Sequence, residues 1–262
     1  MTRLFSALAL LALVGCAMWP TSSAPLGDKE LLRNSSLARA AFDGGDIVKA
    51  VGLYEKALNR ARAMDAAMEI GNAAYNLALC QFILGQLDQA SASLAEAKAA
   101  FKRGGSIPAD ALLLEATIAQ RQGRPEQALS LANEALSASP DENDRFQVAL
   151  LKGTIACEQG DAVRAKSDLS EALKHETASS PLLAAKERLI GNILLLEKNP
   201  AQAAAAFDRA AALLQEAKRY RDMELDLRRA AEAYRQAGDA ERADERLMRA
   251  NRSLTAQGQE SQ

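Results

Sequence analysis

Eighteen small residues recur at fixed offsets from six turns in this 262-residue chain. The turns fall at Gly45, Gly85, Gly123, Gly160, Lys198 and Gly238, spaced 37 to 40 residues apart. Five residues on stand Ala50, Ala90, Ala128, Ala165, Ala203 and Ala243. Twelve on stand Ala57, Ala97, Ala135, Ala172, Ala210 and Ala250. Seven before the turns stand Ala38, Ala78, Ala116, Gly153, Gly191 and Ala231. Alanine and glycine make up 71 of 262 residues, so chance would supply about five of these eighteen. A period of this length marks a stacked repeat array rather than one compact core.

The offsets have a mechanical reason. Antiparallel helices pack closely only where small side chains lie at the crossing, so the residue seven before each turn faces the one five after it. The position twelve after the turn leaves room for the next repeat's first helix. Larger side chains fill the gaps nine after the turns, at Tyr54, Leu94, Leu169, Phe207 and Leu247, with Ala132 the small exception. A single helix pair cannot bury its apolar face, so stacking must supply the core. Aromatic residues are only 4% of the chain, which argues against a β-sandwich or barrel. The expectation is an all-α chain. Asp46, Asp161 and Asp239 follow turn glycines and are placed to cap second helices. Asn199-Pro200 and Ser180-Pro181 read as starts with proline in the first turn, and Gly104-Gly105 as a helix end.

This pattern resembles the tetratricopeptide repeat over residues 31–255. It shares the small residue before the turn, the turn glycine and both later alanines, and Pro140 stands where the family often ends a second helix. It departs in lacking the early large aromatic of the first helix and in exceeding the family's usual period of about 34 residues. Longer second helices or longer connections would absorb the difference. The resemblance implies a right-handed superhelical solenoid of about six hairpins, with residues 256–262 a disordered tail. It also implies a concave groove lined from positions ten, six and three before each turn. Those positions hold Tyr75, Leu79 and Phe82, then Leu113, Thr117 and Gln120, then Leu150, Thr154 and Cys157. Arg188, Asn192 and Leu195 follow, then Arg228, Glu232 and Arg235. Such a groove runs from apolar to cationic and would suit a peptide with an apolar and an acidic segment. Arg188 and Asn192 resemble half of the clamp that some family members close on C-terminal carboxylates. The charge-dense end from Lys218 to Arg252 reads as the polar cap that terminal repeats need.

The first thirty residues read as an address. Met1-Thr2-Arg3 is a positive start and Leu4 to Gly15 an apolar stretch too short to span a bilayer, which takes about 20 residues. It ends in Leu13-Val14-Gly15-Cys16, which resembles the lipobox of bacterial lipoproteins. That resemblance implies a signal peptide over 1–15, cleavage before Cys16 and lipidation of that cysteine. Each buried acyl CH₂ would contribute about 0.8 kcal/mol to anchoring. Ala17, rather than aspartate, implies by the same resemblance an outer-membrane anchor, facing the periplasm. Residues 16–30, with Pro20, Ser22, Ser23, Pro25 and Gly27, read as a tether reaching roughly 20 Å.

Catalytic and metal chemistry is thinly supplied. There is one histidine, and neither a Gly-rich phosphate loop, a His-Glu-x-x-His nor a paired CxxC occurs. Cys80 and Cys157 read as buried small hydrophobes, and His175 as facing carbonyls at a helix end. A net charge of −2 offers nothing to nucleic acid. The reading that follows is a non-enzymatic envelope scaffold without cofactor or metal. Its partners are other envelope proteins or peptides, and the membrane through the lipid. The alternative is a lipoprotein that binds a peptidoglycan fragment or sugar, which a deep pocket at Tyr75 would favour over an open groove.

Overall fold

The computed structural model describes residues 28–138, 141–175 and 179–260, all helix and short connections. The lipobox, Cys16, Trp19 and Pro140 lie outside the described residues. Twelve helices follow one another within them. They pair as α1 (Lys29–Asp43) with α2 (Ile47–Ala63), α3 (Ala67–Ile83) with α4 (Leu87–Gly104), and α5 (Ala109–Arg121) with α6 (Pro125–Ala138). Then come α7 (Glu142–Glu158) with α8 (Ala162–Ala172), α9 (Ser180–Leu196) with α10 (Pro200–Glu216), and α11 (Tyr220–Gln236) with α12 (Ala240–Glu260). Helix α12 thus continues through the stretch read from sequence as a tail from residue 256. No helix among the described residues is long and apolar enough to cross a membrane.

Every turn lies where the repeat put it. Gly45, Gly85, Gly123, Gly160 and Gly238 have φ between 72° and 87°, and Lys198 takes the same left-handed conformation at 59°. This conformation favours glycine because it crowds a Cβ against the backbone. Asp46, Asp161 and Asp239 each accept from the backbone N–H three residues on, at 3.1, 2.9 and 3.0 Å. Asn199 is different: its side chain makes no capping bond, and Pro200 simply lacks the N–H that would need one. Helix α4 ends at Gly104 as expected, with Gly105 at φ 140°.

All eighteen small residues are buried. The reason is visible at two glycines. A Cβ on Gly191 would lie 2.6 Å from Phe207 across its own hairpin, and one on Gly153 would lie 2.7 Å from Leu189 in the next repeat. Phe207, Leu94 and Tyr54 fill the positions nine after their turns, as expected, and Leu169 and Leu247 are packed against neighbouring clusters. Helices α2, α4 and α10 run 17 or 18 residues, but α6 and α8 only 14 and 11. The long period is therefore absorbed by helix length at the ends of the array and by connections in its middle.

The array curls back on itself. The turn between α1 and α2 meets the turn between α10 and α11, where a Cβ on Gly45 would fall 2.7 Å from the Lys218 carbonyl oxygen. Tyr220 stands beside the same glycine, and Arg221 beside Gly85. First and last hairpins thereby enclose the concave face on one side.

Candidate functional site

The concave face forms a cavity of about 690 Å³. Its lining comes from α3, α5, α7, α9 and the α10–α11 corner, so five hairpins build it. Of the fifteen groove residues expected from the repeat, ten line it: Tyr75, Leu79, Phe82, Leu113, Thr117, Gln120, Leu150, Thr154, Arg188 and Asn192. Arg228 does not. Its Nε binds Glu224 on its own helix and its guanidinium reaches Asn251 of α12 at 3.0 Å. Arg229 lines the cavity in its place. One residue turns a helix by about 100°, and the rotation of α11 is set by Asp226, which is drawn inward to Arg188. Cys157, Leu195, Glu232 and Arg235 are also absent from the lining, Cys157 and Leu195 being packed against core side chains of their own and the next repeat.

Five charged side chains in the lining were not singled out by the repeat: Asp110, Arg121, Glu158, Arg219 and Arg229. The first three extend the stripe by a turn, at thirteen or two residues before a turn glycine, so the helical period contained that signal. Arg219 sits in the corner between helices, where no periodicity points to it.

One end of the cavity is apolar. Tyr75, Leu79 and Phe82 face Leu113, Leu150 and Leu182. Burial, with Asp110 and Asp144 nearby, pushes the Tyr75 phenol well above its ordinary pKa, so it remains a neutral donor. Four arginines line the same cavity, and one of them, Arg121, lies against the apolar Phe82. Asp226 is fully buried and accepts from Arg188 at 2.8 and 2.9 Å and from Arg229 at 2.6 Å. Burial alone would lower the Arg188 pKa, but the bonds to Asp226 offset this and raise it. The half-clamp read at Arg188 and Asn192 is therefore closed internally on the chain's own carboxylate. Arg219 pairs with Asp222. Arg121 lies over the Phe82 ring, 4.9 Å from its centroid.

Outside the cavity, His175 binds Glu142 across the α7–α8 hairpin, with Glu171 nearby, instead of helix-end carbonyls. Cys80 and Cys157 are free thiols. No group of three His, Cys, Asp or Glu side chains that could hold a metal occurs among the described residues.

No protein-family model and no curated protein matches the chain. Solved structures do. The Rap conjugation gene regulator of plasmid pLS20, in complex with the Phr* peptide, aligns with a TM-score of 0.67 at 17% identity, over 92% of this chain and 67% of that one. A Rap protein complexed with Competence and Sporulation Factor aligns with a TM-score of 0.64 at 15% identity, over 88% and 67%. A tetratricopeptide repeat protein from Parabacteroides merdae aligns with a TM-score of 0.49 at 18% identity, over 86% and 80%. At these identities the likeness is one of fold: an all-α, tetratricopeptide-like solenoid of consecutive hairpins.

Proposed function

We propose that the protein is a non-catalytic scaffold that takes a short peptide segment of a partner into its concave cavity. The observation that carries this reading is the half-open concave cavity of about 690 Å³, lined by apolar side chains and by four arginines. Its volume falls within the range of small-ligand sites, about 300–1,000 Å³. It admits a few residues of extended chain and excludes a folded domain. The pLS20 Rap regulator, of similar fold, was solved with a peptide bound.

The N-terminal residues extend the proposal. Lipidated at Cys16, the scaffold would hang from the outer membrane into the periplasm and collect other envelope proteins there, as part of a secretion, pilus, outer-membrane or cell-wall complex. Metabolic labelling with a fatty acid tests the anchor: label present in wild type and lost in Cys16→Ser supports it, and an unlabelled wild type refutes it. Crosslinking pull-downs from membranes test the cavity, comparing wild type with Leu79→Asp/Phe82→Asp after circular dichroism shows the variant folded. Specific partners lost in the variant support the proposal. An unchanged set of partners removes the cavity from it.

A sugar or peptidoglycan fragment is a second reading, and the cavity at Tyr75 is the observation that favours it. The lining argues for the peptide instead. Sugar rings stack on open aromatic faces, and of Tyr75 and Phe82 the latter already carries Arg121. Calorimetric titration with a disaccharide-peptide fragment distinguishes the two, since saturable heat with no peptide binding would select the second.

A further inference from the structure

The cavity's charges do not balance. Arg188 and Arg229 share Asp226, and Arg219 has Asp222. Arg121 has no carboxylate within ion-pair distance among the described residues, although it stands among these same groups and senses Asp222, Asp226, Arg188 and Arg229. Four guanidiniums thus meet two carboxylates in the half-open cavity. The lining's other acids pair with no arginine: Asp110 stands near Tyr75, and Glu158 accepts from Gln120.

Two donors are left over. Arg121 lines the cavity, is solvent-accessible and has no carboxylate partner among the described residues. Its placement over Phe82 holds the guanidinium plane without using up its N–H groups. Arg219 lines the same cavity, and its Nε is buried with no acceptor. That Nε has no accessible surface, so an entering oxygen would meet the outer N–H groups of Arg219 and not its Nε. A carboxylate fits this vacancy in charge and in geometry, because guanidinium and carboxylate match as planar forks.

We propose that the peptide taken up here is acidic, with a carboxylate beside apolar residues, and that Arg121, with Arg219 as second donor, receives that carboxylate. This rests on the peptide-binding reading above and assigns the chemistry of its ligand. The apolar neighbours lie against Leu79, Leu113 and Leu150, which line the same cavity. A carboxylate in that place also bridges the two limbs of the curl, since Arg121 belongs to α5 and Arg219 to the α10–α11 corner.

Selection of N-acetylated, C-amidated random hexapeptides on the full chain tests this, with peptide anisotropy as the readout. Wild type is expected to enrich Asp or Glu beside Leu, Ile or Phe. Changing the acid of the best binder to its amide should weaken binding about tenfold or more. In Arg121→Gln the acid and amide forms should bind alike, with Arg121→Lys between, both variants having wild-type circular dichroism. A parallel set with free C-termini separates a terminal from a side-chain carboxylate, and enrichment of either supports the proposal. Binders with no acid enrichment, or with lysine drawn to Asp110 and Glu158, overturn it while leaving peptide binding intact. If no hexapeptide binds at all, the peptide reading itself fails and this one with it.

Discussion

Lys198 carries a backbone conformation that the other five turns assign to glycine, with φ at 59°. For an L-residue this region costs about 1–2 kcal/mol, and the exposed side chain gives little back. Lys198→Gly is expected to stabilise the chain by about 0.5–1 kcal/mol after the extra entropy of the unfolded glycine is counted, measured by urea unfolding. Gly238→Ala should destabilise by a similar amount. The thiols make a second residue-scale case. Burial pushes Cys80 up to about 12 and Cys157 up to about 11. At pH 8 almost no thiolate is then present, so in a Cys16→Ser chain neither should react with an alkylating reagent until denaturant is added. Fast native labelling of Cys80 would contradict its burial.

Helices are held together by contacts that repeat with the array. Arg188 and Asp226, Arg246 and Asp208, Arg103 and Asp65, and Gln120 and Glu158 each stand 38 positions apart, one repeat along. Arg103–Asp65 and Gln120–Glu158 lie at the surface and contribute little, and Arg246–Asp208 is half-buried. Arg188–Asp226 differs because Asp226 is fully buried. Asp226→Ala would leave Arg188 buried and unpaired, and breaking such a pair costs about 3–5 kcal/mol; a loss under 1 kcal/mol on denaturant titration would show the pair to be dispensable. At the first helix, Asp28 accepts from Leu31 N–H and from Arg60. Its carboxyl is held down at about 2 instead of 3.8, by Arg60 first and the helix N–H second. A lowered carboxyl stabilises the fold above its unfolded pKa and loses that contribution as pH falls through the folded value. Exchange of the α1 amides should therefore be constant above pH 4, after correction for intrinsic rates. Below that it should accelerate toward pH 2 in wild type and stay level in Asp28→Ala.

At the scale of the whole molecule, curvature decides what the concave face can do. An open array would offer a long groove, whereas here the first turn meets the corner between α10 and α11, whose Arg219 lines the cavity. Gly45 is the point of contact, and it also has φ of 87°. Gly45→Glu is expected to open the curl, raising the radius of gyration in small-angle scattering while the helical circular dichroism remains. A variant with unchanged radius would show that the contact does not hold the ends together. Much of this was legible beforehand at the level of position. Ten of the fifteen positions read by offset from the turns line the cavity, because a stacked repeat places equivalent residues on equivalent faces. Arg228 failed because rotation about one helix axis is set by packing, here by Asp226 turning inward, and a one-residue difference changes the face.

By itself the sequence determined the hairpins. Small residues at helix crossings, left-handed turn positions and aspartate caps are local requirements, and each leaves its mark at a fixed offset. Tertiary structure alone decided which charges cancel. Arg188 and Arg121 look alike in the chain, yet one is neutralised by Asp226 a repeat away and the other is left facing the cavity. Charge pairing depends on distances of a few ångströms between elements, and these follow from the accumulated curl of twelve helices. No single repeat encodes that sum.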